Sequence, residues 1–187
     1  MFAVAFEVLP SETGYQRYLD IAASLRPKLD LIDGFISIER FRSLTHPGWI
    51  LSLSLWRDEA ALVQWRRDGE HHAAQAEGRQ SVFDDYRIRV IRMVDMPQDG
   101  QGPLVSFYEH PAAISAEAPK QFQSLVDSDK RIALMEFTDA SSACAWQKSH
   151  AERSAPPARV LCGVTMRDYG LFERGQAPQY FPEAMKR

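Results

Sequence analysis

The sequence predicts an α+β protein built from two ferredoxin-like units fused in one chain, the second a degenerate copy of the first. Internal repetition is the first observation behind this. Phe41, Ser43 and Leu44 recur as Phe122, Ser124 and Leu125, Trp56 recurs as Phe137 and Trp65 as Trp146, all at one offset (122 − 41 = 81). The second observation is the order of patterns inside each copy. An apolar strand ends in an aromatic residue, Asp58 or Asp139 opens a helix, and a tryptophan sits within that helix. Two copies are too few for an open array, which needs three or more repeats to bury its core. A closed pair, a dimer written on one chain, satisfies the same need.

Each element follows from local pattern. Phe2, Val4 and Phe6 alternate with Ala3, Ala5 and Glu7, the period of a half-buried strand over 2–9, which Pro10 and Ser11 end. Ser11 or Thr13 is placed to cap a helix whose apolar positions Tyr15, Tyr18, Leu19, Ala22, Leu25 and Leu29 keep helical spacing. Pro27 is expected to kink or shorten its last turn. Asp33 and Gly34 turn the chain into paired strands at 35–44 and 49–56, joined through His46, Pro47 and Gly48. A single helix is expected over 58–75, then a strand over 82–94 in which Tyr86, Ile88 and Val90 share a face opposite Arg87 and Arg89. Strand, helix, two strands, helix, strand is the ferredoxin-like order.

Residues 1–96 are thus read as the first unit and 97–103, rich in Gly, Pro and Gln, as a linker. In the second unit, 104–170, the offset from Phe2 to Leu104 is 102, so this copy is shorter by 21 residues (102 − 81) before its Phe122 strand. That deficit is the size of the first helix, which is expected to survive only as a short run around 115–120. Strands at 131–138 and 159–170 flank a helix at 140–152. The tail 171–187, with Leu171, Phe172, Tyr180 and Phe181, is too apolar for a free end and is expected to dock.

Composition narrows the partners. A net charge of −3 with dispersed Lys and Arg offers no basic stripe for nucleic acid or an anionic membrane surface. The amino terminus lacks a basic region and reaches Glu7 early, and no segment approaches the roughly 20 apolar residues of a membrane span. A cytoplasmic protein is expected. Cys144 and Cys162 are too few for a disulfide framework or a four-ligand zinc site, and no metal site is expected.

Several runs carry a resemblance. Gly34 to Phe41 (GFISIERF), Leu51 to Ala60 (LSLSLWRDEA), Trp65 and Arg66, His72 to Gln75, and Tyr86 to Val90 look like the antibiotic biosynthesis monooxygenase (ABM) domain family of dimeric α+β barrels, over most of 1–94. Arg167 to Gly170 (RDYG), with Arg174, Ala177 and Pro178, is similar to the tail that follows the last strand in single-domain members. The resemblance implies two units paired into an α+β barrel with helices outside. The family includes cofactor-independent oxygenases of phenols and quinols, haem-degrading monooxygenases and many proteins with no assigned reaction, and the fold alone does not choose among them. Haem-degrading relatives use an asparagine on the first strand and a histidine ten residues after a tryptophan equivalent to Trp65. Here that position is Gln75, and the chain contains no asparagine.

Cofactor-free oxygenation needs a dry cavity, a base near neutral pH, aromatic walls and a donor for developing negative charge. The candidates are His71 and His72 at the helix end, Trp65 two turns earlier, and Arg40 and Tyr86 on strands, with Ser52, Ser54 and Trp56 lining the cavity from one face of their strand. Each also has a plainer role: Trp56 and Trp65 as core aromatics, His71 and His72 as a solvated helix end, Arg40 as the ion-pair partner of Glu39. No cofactor is expected in the oxygenase reading, and haem or a metabolite would be the ligand of a non-catalytic one. A small aromatic molecule is the expected partner, and a further homodimer of chains is compatible with the sequence. His110 and His150 fall in the degenerate copy with no neighbouring ligands in sequence. A site is expected in the first unit alone, because His71, His72, Arg40 and Tyr86 have no like residues at the 81 offset.

Overall fold

Side-chain alternation, with both faces of the sheet covered, sets the architecture. The computed structural model describes residues 1–98, 100–112, 118–152 and 159–178. The first unit runs β1 (Phe2–Pro10), α1 (Gly14–Leu29), β2 (Phe35–Ser43), β3 (Ile50–Trp56), α2 (Glu59–Arg66), α3 (Gly69–Glu77), a π turn at Gly78–Val82 and β4 (Phe83–Val94). The second runs β5 (Leu104–Pro111), β6 (Lys120–Ser124), β7 (Lys130–Phe137), α4 (Ala140–Glu152) and β8 (Arg159–Gly170).

The eight strands close into one barrel in the order β1-β3-β2-β6-β7-β5-β8-β4. Each unit contributes the same strand order, and the two sheets meet edge to edge within the chain, leaving no open edge to aggregate. The junctions are isologous: Arg42 lies opposite Gln123 between β2 and β6, and Ile88 opposite Tyr169 between β4 and β8. Both are pairs of repeat equivalents (123 − 42 and 169 − 88 both equal 81), so a pseudo-two-fold axis passes between them. At the second junction the strands close tightly around Gly163, where a Cβ would lie 2.4 Å from the Ile91 side chain.

Ala3, Ala5, Phe41, Leu51, Leu53, Leu55 and Ile91 fill the barrel from the first unit, and Val105, Phe107, Phe122, Ile132 and Leu134 from the second. On β1 and β4 the same interior face also carries Glu7 and Arg89, at 4% and 0% exposure. Arg89 pairs with Glu7 and, at 2.9 Å, with Glu136 of β7. Lys120 of β6 reaches Glu7 at 2.7 Å, and Arg87 bridges Glu136 at 2.9 Å and Asp168 at 2.6 Å. Three cations and three carboxylates thus balance from the barrel interior to its rim, and apart from Arg89 to Glu7 and a longer contact of Lys120 with Glu136 at 3.9 Å these ion pairs cross between the units.

The opposite face of the first sheet packs on the helices. Trp56, Val90 and Leu29 form one cluster with Ala61 and Leu62, and Val8, Tyr18, Ile50, Val82 and Tyr86 form another with Leu171. Several sequence expectations need correction. The helix expected over 58–75 is two helices. Arg67 ends α2, and the Asp68 carboxylate accepts from the Glu70 and His71 amides at 3.0 Å each, capping α3 afresh. Asp68 followed by Gly69 was the available signal. Thr13 stands at the start of α1 without a side-chain cap, and α1 runs on through Pro27 to Leu29, whose burial against Trp56 holds the last turn. Between β5 and β6 no helix occurs among the described residues. Of the run expected at 115–120, residues 115–117 lie outside them. Leu171 and Phe172 pack on the first unit's cluster, whereas Tyr180 and Phe181 lie outside the described residues. No helix among the described residues is long and apolar enough to cross a membrane.

Candidate functional site

Three layers enclose a cavity of about 210 Å³ in the first unit: α1 on one side, α2 and α3 above, and the outer face of the sheet below. The floor follows from strand alternation. Val4 and Phe6 of β1, Ser52, Ser54 and Trp56 of β3, and Ile88 and Val90 of β4 all face outward. A bulge between Phe35 and Ser37 sets the register of β2, so that Ile38 pairs with Ser54 and Arg40 with Ser52, bringing both onto the cavity side. Tyr18, Ile21, Leu25 and Leu29 line it from α1, and Leu62, Trp65, His71 and Gln75 from α2 and α3. A smaller cavity of about 70 Å³ shares six of these linings and extends to Arg79, Tyr86, Arg174 and Pro178.

Several of the polar lining groups are held by neighbours. The Trp56 indole donates to the Ser54 hydroxyl at 2.9 Å. Arg40 Nε donates to the Tyr18 hydroxyl at 3.2 Å, with its guanidinium 5.7 Å from that ring. Its neighbour Glu39 faces the other way and pairs with Lys130 at 2.6 Å, so Arg40 is not its ion-pair partner. His71 stacks on Trp65, centroids 4.3 Å apart at 15°, and its Nδ1 lies 3.0 Å from the Trp65 carbonyl. A carbonyl only accepts, so Nδ1 carries the hydrogen and Nε2 keeps a lone pair. Burial pushes the His71 pKa down to about 4, against the Trp65 carbonyl bond and the nearby Asp68 charge, which work to raise it. The imidazole is therefore neutral at physiological pH.

His72 is exposed and lies outside both cavity linings, since two adjacent helical residues point about 100° apart. Tyr86 is buried and lines only the smaller cavity, where its hydroxyl accepts from Arg79 at 2.6 Å and Arg174 at 2.8 Å. Sequence reasoning did not assign Tyr169 to the site. This β8 residue of the second unit lines both cavities of the first because it lies across the unit junction from Ile88. Burial and the neighbouring Tyr86 raise its phenol pKa, while Arg66, Arg174 and Arg167 work to lower it. The 81 offset between Ile88 and Tyr169 was the signal that could have placed it.

The second unit differs from what its sequence suggested. His110 and His150 both pack on Tyr108, with ring centroids 4.8 and 4.9 Å away, and His150 stacks on Trp146 at 4.1 Å. His150 Nδ1 lies 2.8 Å from the Trp146 carbonyl, repeating the Trp65 and His71 arrangement. His71 thus has a structural counterpart, which linear offsets hide because the break before α3 lengthens the spacing in the first unit. No group of three or more His, Cys, Asp or Glu residues suited to a metal occurs among the described residues.

Comparison with known proteins bears on this site. The antibiotic biosynthesis monooxygenase family model matches residues 1–77. A protein of Pyricularia oryzae named Jasmonate monooxygenase ABM is 37% identical over 214 aligned positions, covering 98% of this chain and 100% of that one. The Bacillus subtilis protein YqjZ, uncharacterised, is 31% identical over 94 residues, 49% of this chain and 78% of that one. Among solved structures, a conserved protein of Methanosarcina mazei Go1 matches at 19% identity with a TM-score of 0.45, covering 49% of this chain and 90% of its own. With a relative this similar along the whole length of both chains, and the family model matching its first unit, the chain belongs to the antibiotic biosynthesis monooxygenase family.

Proposed function

We propose that this protein is a monooxygenase that oxygenates a small, mostly apolar ring compound held in the first-unit cavity, with dioxygen and without haem or metal. The observation that carries the reading is one neutral imidazole, His71, in an aromatic-walled cavity whose other ionisable lining groups are arginines and tyrosines. Gln75 supports the choice over haem degradation, because it stands in the cavity lining at the position where haem-degrading relatives carry histidine.

For a phenol or quinol bearing an activated ring methylene, His71 Nε2 takes the acidic proton and the resulting anion passes an electron to O2. The sum is CH2 + O2 → C=O + H2O, in which the substrate supplies all four electrons. Moving a proton from a phenol of pKa about 10 to an imidazole near 4 is uphill by roughly 8 kcal/mol. Arg40 and Arg66, which line the same cavity, are the groups available to stabilise the anion and reduce that gap.

A second reading follows from the Pyricularia oryzae relative, named for jasmonate, a carboxylate with no phenol. Hydroxylating a saturated carbon needs two further electrons and two protons, so this reading requires an added reductant. The test is incubation under ¹⁸O2 with a quinol, an anthrone and jasmonate, each with and without NADPH, followed by mass spectrometry. One ¹⁸O atom in the product of one substrate, lost in His71→Phe, is the expected result. No incorporation anywhere, or a Soret shift on adding haem, would replace the oxygenase reading with the binding one.

A further inference from the structure

The floor of the larger cavity changes character along one cross-strand row. Ile88, Phe6, Ser52 and Arg40 lie side by side on β4, β1, β3 and β2, apolar on the first two strands and polar on the next two. Neighbouring strands are about 4.8 Å apart, so Ser52 and Arg40 can meet at one ligand atom. Tyr18 reaches the same end of the row from α1, its ring edge-on to Phe6 at 6.3 Å and its hydroxyl accepting from Arg40 Nε at 3.2 Å. That bond occupies a lone pair of the phenol oxygen and turns the O–H hydrogen elsewhere, and nothing among the described residues accepts it. Tyr18 and Ser52 are 6% and 5% exposed, yet the Ser52 hydroxyl makes no hydrogen bond among the described residues. Arg40 has no carboxylate partner among them, since Glu39 is held by Lys130 on the opposite face. Donors therefore converge here, and no Asp or Glu among the described residues lines the cavity to accept from them. A buried hydroxyl without a partner is costly, and an acceptor oxygen on a ligand removes that cost.

We infer that Tyr18, Ser52 and Arg40 form an oxygen-binding subsite that fixes the carbonyl oxygen of a ring ketone, and the phenolate oxygen it becomes, while the apolar ring lies over Phe6 and Ile88. The inference rests on the reading of this cavity as the substrate site. It adds the substrate class, apolar rings whose ketone oxygen takes up the charge when a ring proton is lost, and it adds their orientation. His71 stands on α3 in the roof, so an oxygen held at the floor leaves the activated carbon to face Nε2. When that carbon gives its proton to Nε2, the C–H electron pair becomes a ring double bond and the carbonyl π pair moves onto the oxygen. Charge thus develops on the atom that the three donors already surround, and they need no reorganisation to meet it. At the equivalent pair of the second unit Gln121 stands opposite Ala133, so neither the guanidinium nor the serine hydroxyl is repeated there.

The test uses 1-naphthol and naphthalene, one ring system with and without the oxygen. Binding is measured by calorimetry, and ionisation of bound naphthol by absorbance, since the naphtholate absorbs at longer wavelength than the phenol. In the wild type naphthol is expected to bind roughly tenfold more tightly than naphthalene, the span of one net hydrogen bond. Its ionisation midpoint is expected to fall by about one pH unit on binding, because the donors favour the charged form. Tyr18→Phe and Ser52→Ala each remove a hydroxyl and keep the packing. Both are expected to lower naphthol affinity several-fold, to leave naphthalene affinity unchanged and to move the midpoint back toward that of free naphthol. Arg40→Met, which removes a charge, is expected to move it furthest, with melting temperatures confirming that all three variants fold. Equal affinity for the two probes in the wild type, or a midpoint raised on binding, overturns the oxygen subsite and leaves the cavity reading intact. A naphthol preference that survives all three variants also overturns it, and loss of that preference in His71→Phe then places the oxygen on the imidazole. If neither probe binds, the cavity reading fails and takes this inference with it.

Discussion

Replacing His71 with phenylalanine keeps a ring against Trp65 and removes a titration, and its effect on acid stability can be worked out from the structure. In the unfolded chain the imidazole titrates near 6.5, and in the folded protein burial lowers this to about 4. Between those values the unfolded state binds the extra proton, so folding stability rises with pH through the window and is lost as pH falls through it. A depression of two to three units at 1.36 kcal/mol each gives about 3 kcal/mol between pH 7 and pH 4. The groups facing the ring are the Asp68 carboxylate, which opposes the shift, and His72, which adds to it. For a chain of this size, about 3 kcal/mol corresponds to roughly 6–12 °C in melting temperature. The assay is thermal unfolding of wild type and His71→Phe at half-unit steps from pH 4 to 7. His71→Phe is expected to start lower, having lost the bond to the Trp65 carbonyl, and to fall less steeply, so that the two curves converge toward acid. Parallel curves, or a His71 NMR titration midpoint near 6.5, would refute the argument.

Two further outcomes test the barrel. Arg89→Met removes one member of the buried pair while Lys120 still holds Glu7 and Arg87 still holds Glu136, so a loss near the low end of the usual range, about 3 kcal/mol, is expected in urea unfolding. Adding Glu7→Leu should recover part of it, and an additive further loss would mean the two charges are not coupled. Gly163→Val drives a side chain into Ile91 at the junction of β4 and β8, and a melting temperature within 2 °C of wild type would show that junction to be looser than drawn.

The strands were legible because alternation needs only local information, and the six whose bounds the sequence supplies are present within a residue or two of them, alongside strands at Leu104 and Phe122. Alternation does not say which face is the deeper one. On β1 the sequence pattern suggests a buried Phe2, Val4 and Phe6 face opposite Glu7, whereas Glu7 is inside the barrel and the aromatic face borders the cavity. Only the closed barrel covers both faces, and closure is a long-range property. The helix break at Arg67 was local and readable from the Asp68 cap. The site was partly legible: Trp56, Trp65, His71, Arg40, Ser52 and Ser54 come together around one cavity. Tyr169 was not recognised because it reaches the site through strand pairing across an interval of about eighty residues, nor was Arg174, which the tail following that strand brings to the smaller cavity.

The same pseudo-symmetry shows how the two units differ at equivalent positions. In register, Phe6 opposite Ser52 corresponds to Tyr108 opposite Ala133. Where the first unit leaves space above Phe6, the second fills it with Tyr108, fully buried, flanked by His110 and His150 at 3% and 4% exposure. Large aromatic side chains therefore occupy the position in the second unit that borders the cavity in the first. Fusion permits this division, because in a dimer of identical chains every substitution acts on both sites, whereas here the second unit keeps the strand edges that close the barrel and lends Tyr169 and Arg174 across the junction. One ligand equivalent per chain is therefore expected in a calorimetric titration with whichever probe binds most tightly. Two equivalents of equal affinity would refute the account of the second unit as a filled copy, and Tyr108→Ala, which removes the largest filling side chain, is the variant in which a second, weaker equivalent should appear.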